Sequence, residues 1–332
     1  MRPTPRERVL AAVRGEVLDR PPFAVWRHFY EVEDAGASAL ANVLVGFARL
    51  HRLDLLKYNP RAHYHAEPWG TRYRYEGSPT LVRYAVESSE DWARIDRRDP
   101  SEPVFLEMLE GMQIARAALP DVPILMTIFT PLAICERLAG RERVLADLRG
   151  RPGRVLPALE AVTETFATFA RTCVMAGADG IFLATTAWAR RDVLRDDEYE
   201  RFGRPFDLRI LEPVAHAPLN VLHACGPNAR VIELADYPVA AVSWNVHAPG
   251  TPSLSAFLAT VPGRVAIGGL SDDALSAHDG SRVRQEVARA LDETGGRRLI
   301  AAGGCTIPTD TAPYVIDAAR DALEAAWTRS SS

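Results

Sequence analysis

From about residue 120 onward, short β-branched and apolar runs alternate with stretches whose apolar residues recur every three or four positions. This is the pattern of buried parallel strands joined by crossover helices. The runs are VPILMTIF (122–129), DGIFLATT (179–186), LNVLHAC (219–225), VAAVSWNV (239–246), RVAIGGL (264–270) and RRLIAAGGC (297–305). Helical patterns separate them, including a long one over about 150–177 and SRVRQEVARALDET at 281–294. Upstream, PPFAVWRHF (21–29) and DLLKYN (54–59) flank the helical stretch SALANVLVGFARLHR (38–52) and supply two more strands. Eight strands alternating with helices predict a (β/α)8 TIM barrel rather than an open doubly wound sheet.

One stretch breaks the rhythm. HYHAEPWGTRYRYEGSPTLVRYAVESSEDW (63–92) is aromatic and turn-rich, and reads as a hairpin-like insertion laid over the barrel. With an N-terminal extension ahead of the first strand and no composition break or internal repeat, residues 1–332 are expected to form a single domain.

Composition narrows the function. A chain of 332 residues buries a full core without disulfides or metal, so stability does not demand a metal here. A net charge of -4 leaves no basic footprint for nucleic acid or an anionic membrane, and small-molecule chemistry is the expectation. MRPTPRERVLAAVRGE carries no apolar stretch of signal-peptide length, and no later run approaches a membrane span, which predicts a cytoplasmic protein. Four scattered cysteines, Cys135, Cys173, Cys225 and Cys305, then read as free thiols or ligands. The single lysine, Lys57, in a chain otherwise served by arginine, reads as genomic bias.

In a parallel barrel, reactive groups gather at the C-terminal ends of strands. Arg27 and His28 fall at the end of the first predicted strand, His223 and Cys225 at the fifth, Asn245 and His247 at the sixth, and Cys305 at the eighth. His223 and Cys225 are two apart, so an extended strand points both to one face, where they can meet one ion. Cys305, after Gly303 and Gly304, is placed to add a third ligand from across the barrel. His-x-Cys on an apolar strand is also what two packed core side chains look like, since free cysteine behaves as a small hydrophobe. Cys135 and Cys173 lie in helical patterns and are expected to pack. Of Arg27 and His28 only one should point inward. Arg27 would suit an anionic substrate group, Asn245 and His247 would contact substrate or complete a ligand set, and a structural ion pair or loop hydrogen bonds are the alternatives. Two thiolates and one imidazole suit zinc with an open fourth position. Such a site favours alkyl transfer to or from sulfur over water activation.

At these residues the chain resembles the uroporphyrinogen decarboxylase superfamily, and within it the zinc-dependent methyltransferases that act with corrinoid proteins and thiols such as coenzyme M. The resemblance runs from RERVLAAVRGEVLDRPPFAVW through AGADGIFL and DDEYERFGRPF to LHACG and GGCTIPTDTAP. The last two look like those enzymes' His-x-Cys and distant Cys ligands. The resemblance implies Zn2+ on His223, Cys225 and Cys305, and a methyl group moved in either direction between a corrinoid (methylcobalamin) or other donor and a thiol activated on the metal. By family position, Tyr199, Asp310 and Tyr314 fall near the pocket. Two departures matter. The Arg-Gln-Ala-Gly-Arg stretch of true uroporphyrinogen decarboxylases is replaced by AVWRHFYEVE, with Arg27 alone, which argues against porphyrinogen as substrate. No Asp-x-His-x-x-Gly corrinoid motif is present, so a corrinoid would arrive on a separate protein or free. The expected partners are thus a small thiol or methylated substrate and a corrinoid protein, and a homodimer is an expected state because barrel helices commonly pair subunits. The rival functions are a metal-free decarboxylase and a non-catalytic corrinoid- or thiol-binding barrel.

Overall fold

The computed structural model describes residues 2–277 and 279–330, with side chains to residue 326. In chain order the strands are β1 (Phe23–Ala24), β2 (Leu56–Tyr58), β3 (Arg72–Arg74), β4 (Thr80–Arg83), β5 (Ile124–Phe129), β6 (Gly180–Ala184), β7 (Val221–Ala224), β8 (Ala241–Trp244), β9 (Val265–Leu270) and β10 (Leu299–Gly303). Eight of them form one parallel sheet in the order β1-β10-β9-β8-β7-β6-β5-β2, with helices between. This is a (β/α)8 TIM barrel in a single domain. All eight predicted strands are present, and the insertion forms the separate antiparallel hairpin β3-β4. The first strand is much shorter than its apolar run implied: only Phe23 and Ala24 pair with β10, and neither pairs with β2. No helix among the described residues is long and apolar enough to cross a membrane.

Strand alternation divides the apolar residues into two cores. Inside the barrel lie Ala24, Leu55, Leu125, Phe182, Val221, Ala241, Val265, Ile267 and Ile300. Their strand neighbours, such as Leu222, Val242 and Ala266, face the helices. Val9, on the N-terminal helix Pro5–Arg14, joins the inner group and plugs the barrel's N-terminal end. Asp179 lies at that end too, bound by Arg6 and Arg116 and accepting the Ile124 amide at 2.8 Å, a structural role.

The seam between β1 and β2 carries no ladder and is closed by one buried carboxylate. Asp54 donates its own amide to Phe23 O at 2.8 Å and accepts the Phe23 amide at 2.9 Å on Oδ2. Arg20 reaches the same Oδ2 at 2.6 Å, and Arg8 reaches Oδ1 at 3.1 Å while gripping Asp19 with two further bonds. The Asp-Arg-Pro sequence at 19–21 thus supplies both an arginine for the seam and the carboxylate that orients a second one.

Asp54→Ala would take the buried carboxylate from Arg20 and from the Phe23 amide, and leave Arg8 held by Asp19 alone. A loss of about 3–5 kcal/mol is expected in urea unfolding; a loss below about 1 kcal/mol would mean the seam is held by something else.

Candidate functional site

The inner face of the strands is apolar through its lower layers and turns polar at the C-terminal end. Lys57 follows Leu55 inward on β2, Thr127 follows Leu125 on β5, His223 follows Val221 on β7, and Ser243 follows Ala241 on β8. Above them opens a pocket of about 160 Å³, lined by Trp26, His28, Phe129, Arg137, Phe182 and Thr186 together with Lys57, His223, Cys225 and Cys305.

The structure brings His223, Cys225 and Cys305 together. Their donor atoms lie within 4.8 Å of one another, with Cys225 Sγ 3.8 Å from Cys305 Sγ and Cys305 Sγ 3.5 Å from His223 Nε2. His223 is buried, packed on the Phe182 ring, and its Nδ1 lies 3.1 Å from Ser243 Oγ. Residues 223 and 243 are register partners, so the strand pairing itself sets that bond. Nε2 is left facing the sulfurs. Cys225 follows β7 directly and is turned by Gly226 at φ 83°. Cys305 follows β10 after two glycines. Gly304 is packed so closely on β8's exit that a Cβ there would sit 2.5 Å from Asn245 Cβ. Three donors converging at one pocket wall are a set that could hold a metal ion.

The two thiols differ. The Cys225 S–H donates to Cys305, which with His223 and the Thr306 amide holds the Cys305 thiol well below its ordinary range, against burial. Cys225 is pushed up by that same bond and by burial.

The remaining site residues fall in different places. Trp26 and His28 face the pocket, and the intervening Arg27 turns the other way. It donates to Thr309 O at 2.7 Å and lies over the Phe29 ring, lining an outer groove with Phe47 and His51. Arg27 as a substrate-binding residue in the pocket is therefore corrected by the period-two alternation. Asn245 and His247 buttress the mouth rather than lining the pocket: Asn245 Oδ1 accepts the His247 amide, and His247 Nε2 meets Gly269 O at 3.1 Å. Tyr199 is bound to Asp207 and Tyr237 among the helices, and Tyr314 is exposed. His65, at the start of the insertion, is fully buried. It holds Ala62 O through Nδ1 and accepts the Phe129 amide on Nε2, both at 2.9 Å, which fixes the end of β5.

Two cationic side chains in the pocket have no carboxylate partner among the described residues. Arg137 lies over the Phe129 ring with its Nε buried and unbonded. Lys57 donates to Asn59 Oδ1 and sits between the Trp26 and Phe182 rings, 5.7 and 4.9 Å from their centroids. Burial draws its amine down to about 7, against the pull of Cys305 and Glu33. The sequence signal for Lys57 was its uniqueness combined with its parity with Leu55, both visible before the fold.

In chelator-treated protein at pH 7, iodoacetamide should label Cys305 first, because a lowered pKa means thiolate below the usual thiol range of about 8.5. Cys135, pushed up to about 12 by burial, and the equally buried Cys173 should react only after unfolding. Peptide mass spectrometry reads the order, and Cys135 reacting first would contradict it.

Solved structures with this fold include a methyltransferase from Methanosarcina mazei, 20% identical over 98% of this chain and 99% of that one, with a TM-score of 0.82. A B12-independent methionine synthase from Shewanella sp. W3-18-1 is 13% identical over 94% and 96%, with a TM-score of 0.61. A putative vitamin-B12 independent methionine synthase from Listeria monocytogenes is 12% identical over 92% and 97%, at 0.58. No curated protein matches the sequence. The family model of uroporphyrinogen decarboxylase (URO-D) matches residues 4–326, nearly the whole chain, and the protein belongs to that family.

Proposed function

We propose that this protein is a zinc-dependent methyltransferase that moves a methyl group between a corrinoid or another activated donor and a small thiol. One observation carries the reading. For zinc with Zn–S of about 2.3 Å and Zn–N of about 2.05 Å in a tetrahedron, donors sit about 3.8 Å apart for S and S and about 3.6 Å for S and N. The separations here are 3.8 Å between the sulfurs and 3.5 Å between Cys305 Sγ and His223 Nε2. His223, Cys225 and Cys305 would hold the ion, leaving a fourth position toward the pocket.

Zinc bound there would supply Lewis acidity that makes an entering thiol more acidic while leaving its sulfur nucleophilic. The chain's own residues do the rest. With an ion on Nε2, His223 Nδ1 would carry the proton and donate it to Ser243 Oγ at 3.1 Å, which orients the ring. Trp26, Phe129 and Phe182 form apolar walls that exclude water, and Arg137 is available to an anionic end of the thiol. A cavity of about 160 Å³ is below the range usual for drug-sized ligands and far too small for a tetrapyrrole. The methyl donor would therefore stand at the mouth, with the thiol aligned beneath it. A corrinoid would come on a separate protein or free. The cysteine pair has no role in a metal-free decarboxylase, which is why the methyltransferase reading is preferred.

Metal analysis of protein purified without chelator or tag metal should find about one zinc per chain, lost in Cys305→Ser. Ser243→Ala should bind zinc about 10–100-fold more weakly while keeping the ion's stoichiometry at saturation. Zinc-loaded wild type should consume methylcobalamin absorbance in the presence of a thiol. Well-folded wild type that takes up no zinc on reconstitution would overturn the reading.

A further inference from the structure

Lys57 is the one lysine in a chain with 38 arginines, and it stands inside the barrel beneath the pocket. Every other cationic task in the molecule is done by arginine, which stays charged at all working pH. A position that must hold a cation would be served by arginine as well, whereas a position that must gain and lose a proton would not. The surroundings agree. The Lys57 amine touches a neutral amide oxygen and two aromatic rings, with no carboxylate in ion-pair contact among the described residues. The Phe182 ring is shared: Lys57 Nζ lies 4.9 Å from its centroid and the His223 ring 5.4 Å from it.

We propose that Lys57 is the proton acceptor for the thiol, receiving the S–H proton as the sulfur settles beside His223, Cys225 and Cys305. This rests on the thiol reading above. In the step, the S–H bond breaks, its electron pair stays on sulfur, and the proton joins the lone pair of Nζ to give an ammonium. No electrons change hands. The other titratable groups facing the pocket are committed, with one exception. His65 has both nitrogens bonded, and Cys225, like Cys305, is one of the three converging donors; His28 gives Nδ1 to Glu33 at 2.6 Å and keeps Nε2 open, so it is the rival acceptor that the residue-57 variants below separate from Lys57. His223 Nδ1 is held by Ser243, Arg137 has no lone pair to offer, and Cys305 is itself one of the three converging donors. Asn59 accepts one N–H of the amine and so orients it, while its own Nδ2 is anchored on Arg27 O at 3.2 Å. Burial leaves the amine with a pKa of about 7, with Cys305 and Glu33 the charged groups that oppose the drop. An amine near neutrality takes a proton above that pH and already carries one below it.

The test counts protons. Zinc-loaded protein is titrated with 2-mercaptoethanol, a neutral thiol that removes any contribution from anion binding, by calorimetry in buffers of different ionisation enthalpy. Across a series from about pH 5 to about pH 9, wild type should pass from releasing about one proton at the acid end, where Lys57 already carries one, to close to none at the alkaline end. Lys57→Met and Lys57→Arg should each keep their zinc and release about one proton throughout the series. Wild type releasing one proton throughout, or Lys57→Arg behaving like wild type, would overturn the assignment and leave Lys57 a charge anchor. No binding of the thiol by zinc-loaded wild type would instead overturn the thiol reading itself, a result distinct from a bound thiol whose proton count ignores residue 57.

Discussion

The barrel depends on Asp54. Seven of the eight strand junctions are ladders of backbone hydrogen bonds, and the junction between β1 and β2 is not. There one carboxylate takes the place of a ladder, accepting from Arg8, Arg20 and the Phe23 amide while its own amide reaches Phe23 O. A buried ion pair of this kind adds little net stability over an apolar substitute, but it tolerates no missing partner and specifies one geometry. With that seam closed, the seven ladders carry the register round the rest of the barrel. Cys305, just past β10, and His223 and Cys225, on and just past β7, then arrive at one rim from opposite sides of two intervening strands.

Much of this was legible in the sequence because it rests on periodicity. Apolar runs gave eight strands, and the spacing of His223 and Cys225 put both on one face. The Gly-Gly before Cys305 has its explanation in packing: the loop passes so close to Asn245 that a side chain at 304 has no room. Asn245 therefore bears on the site by shaping the cysteine's loop, which spacing alone does not reveal. Arg27 was misplaced because two polar residues end the first strand, and composition does not say which parity faces in; Trp26, in the inner core, decides it. Lys57 was passed over for the opposite reason. Its parity was readable, but a charged residue between Leu55 and Tyr58 gives no hint of the aromatic box formed by rings from β6 and the loop after β1. His65 was unreadable because its partners, Ala62 O and the Phe129 amide, are backbone groups.

The three donors are held with unequal firmness, and that inequality has chemical consequences. His223 is part of the barrel wall, with a register partner behind it and an aromatic ring beside it. Both cysteines lie beyond the ladders, on turns shaped by glycines. Were an ion held there, the nitrogen would come from the barrel wall and both sulfurs from beyond the ladders, so the open side of the set would face the pocket. A closed structural metal site would need the reverse, four donors fixed at once. The apolar walls work in the same direction: with water excluded, a proton leaving a thiol has few places to go. Lys57, the chain's single lysine, stands in that polar layer with no carboxylate in ion-pair contact among the described residues, which is the setting the proposed proton acceptor needs.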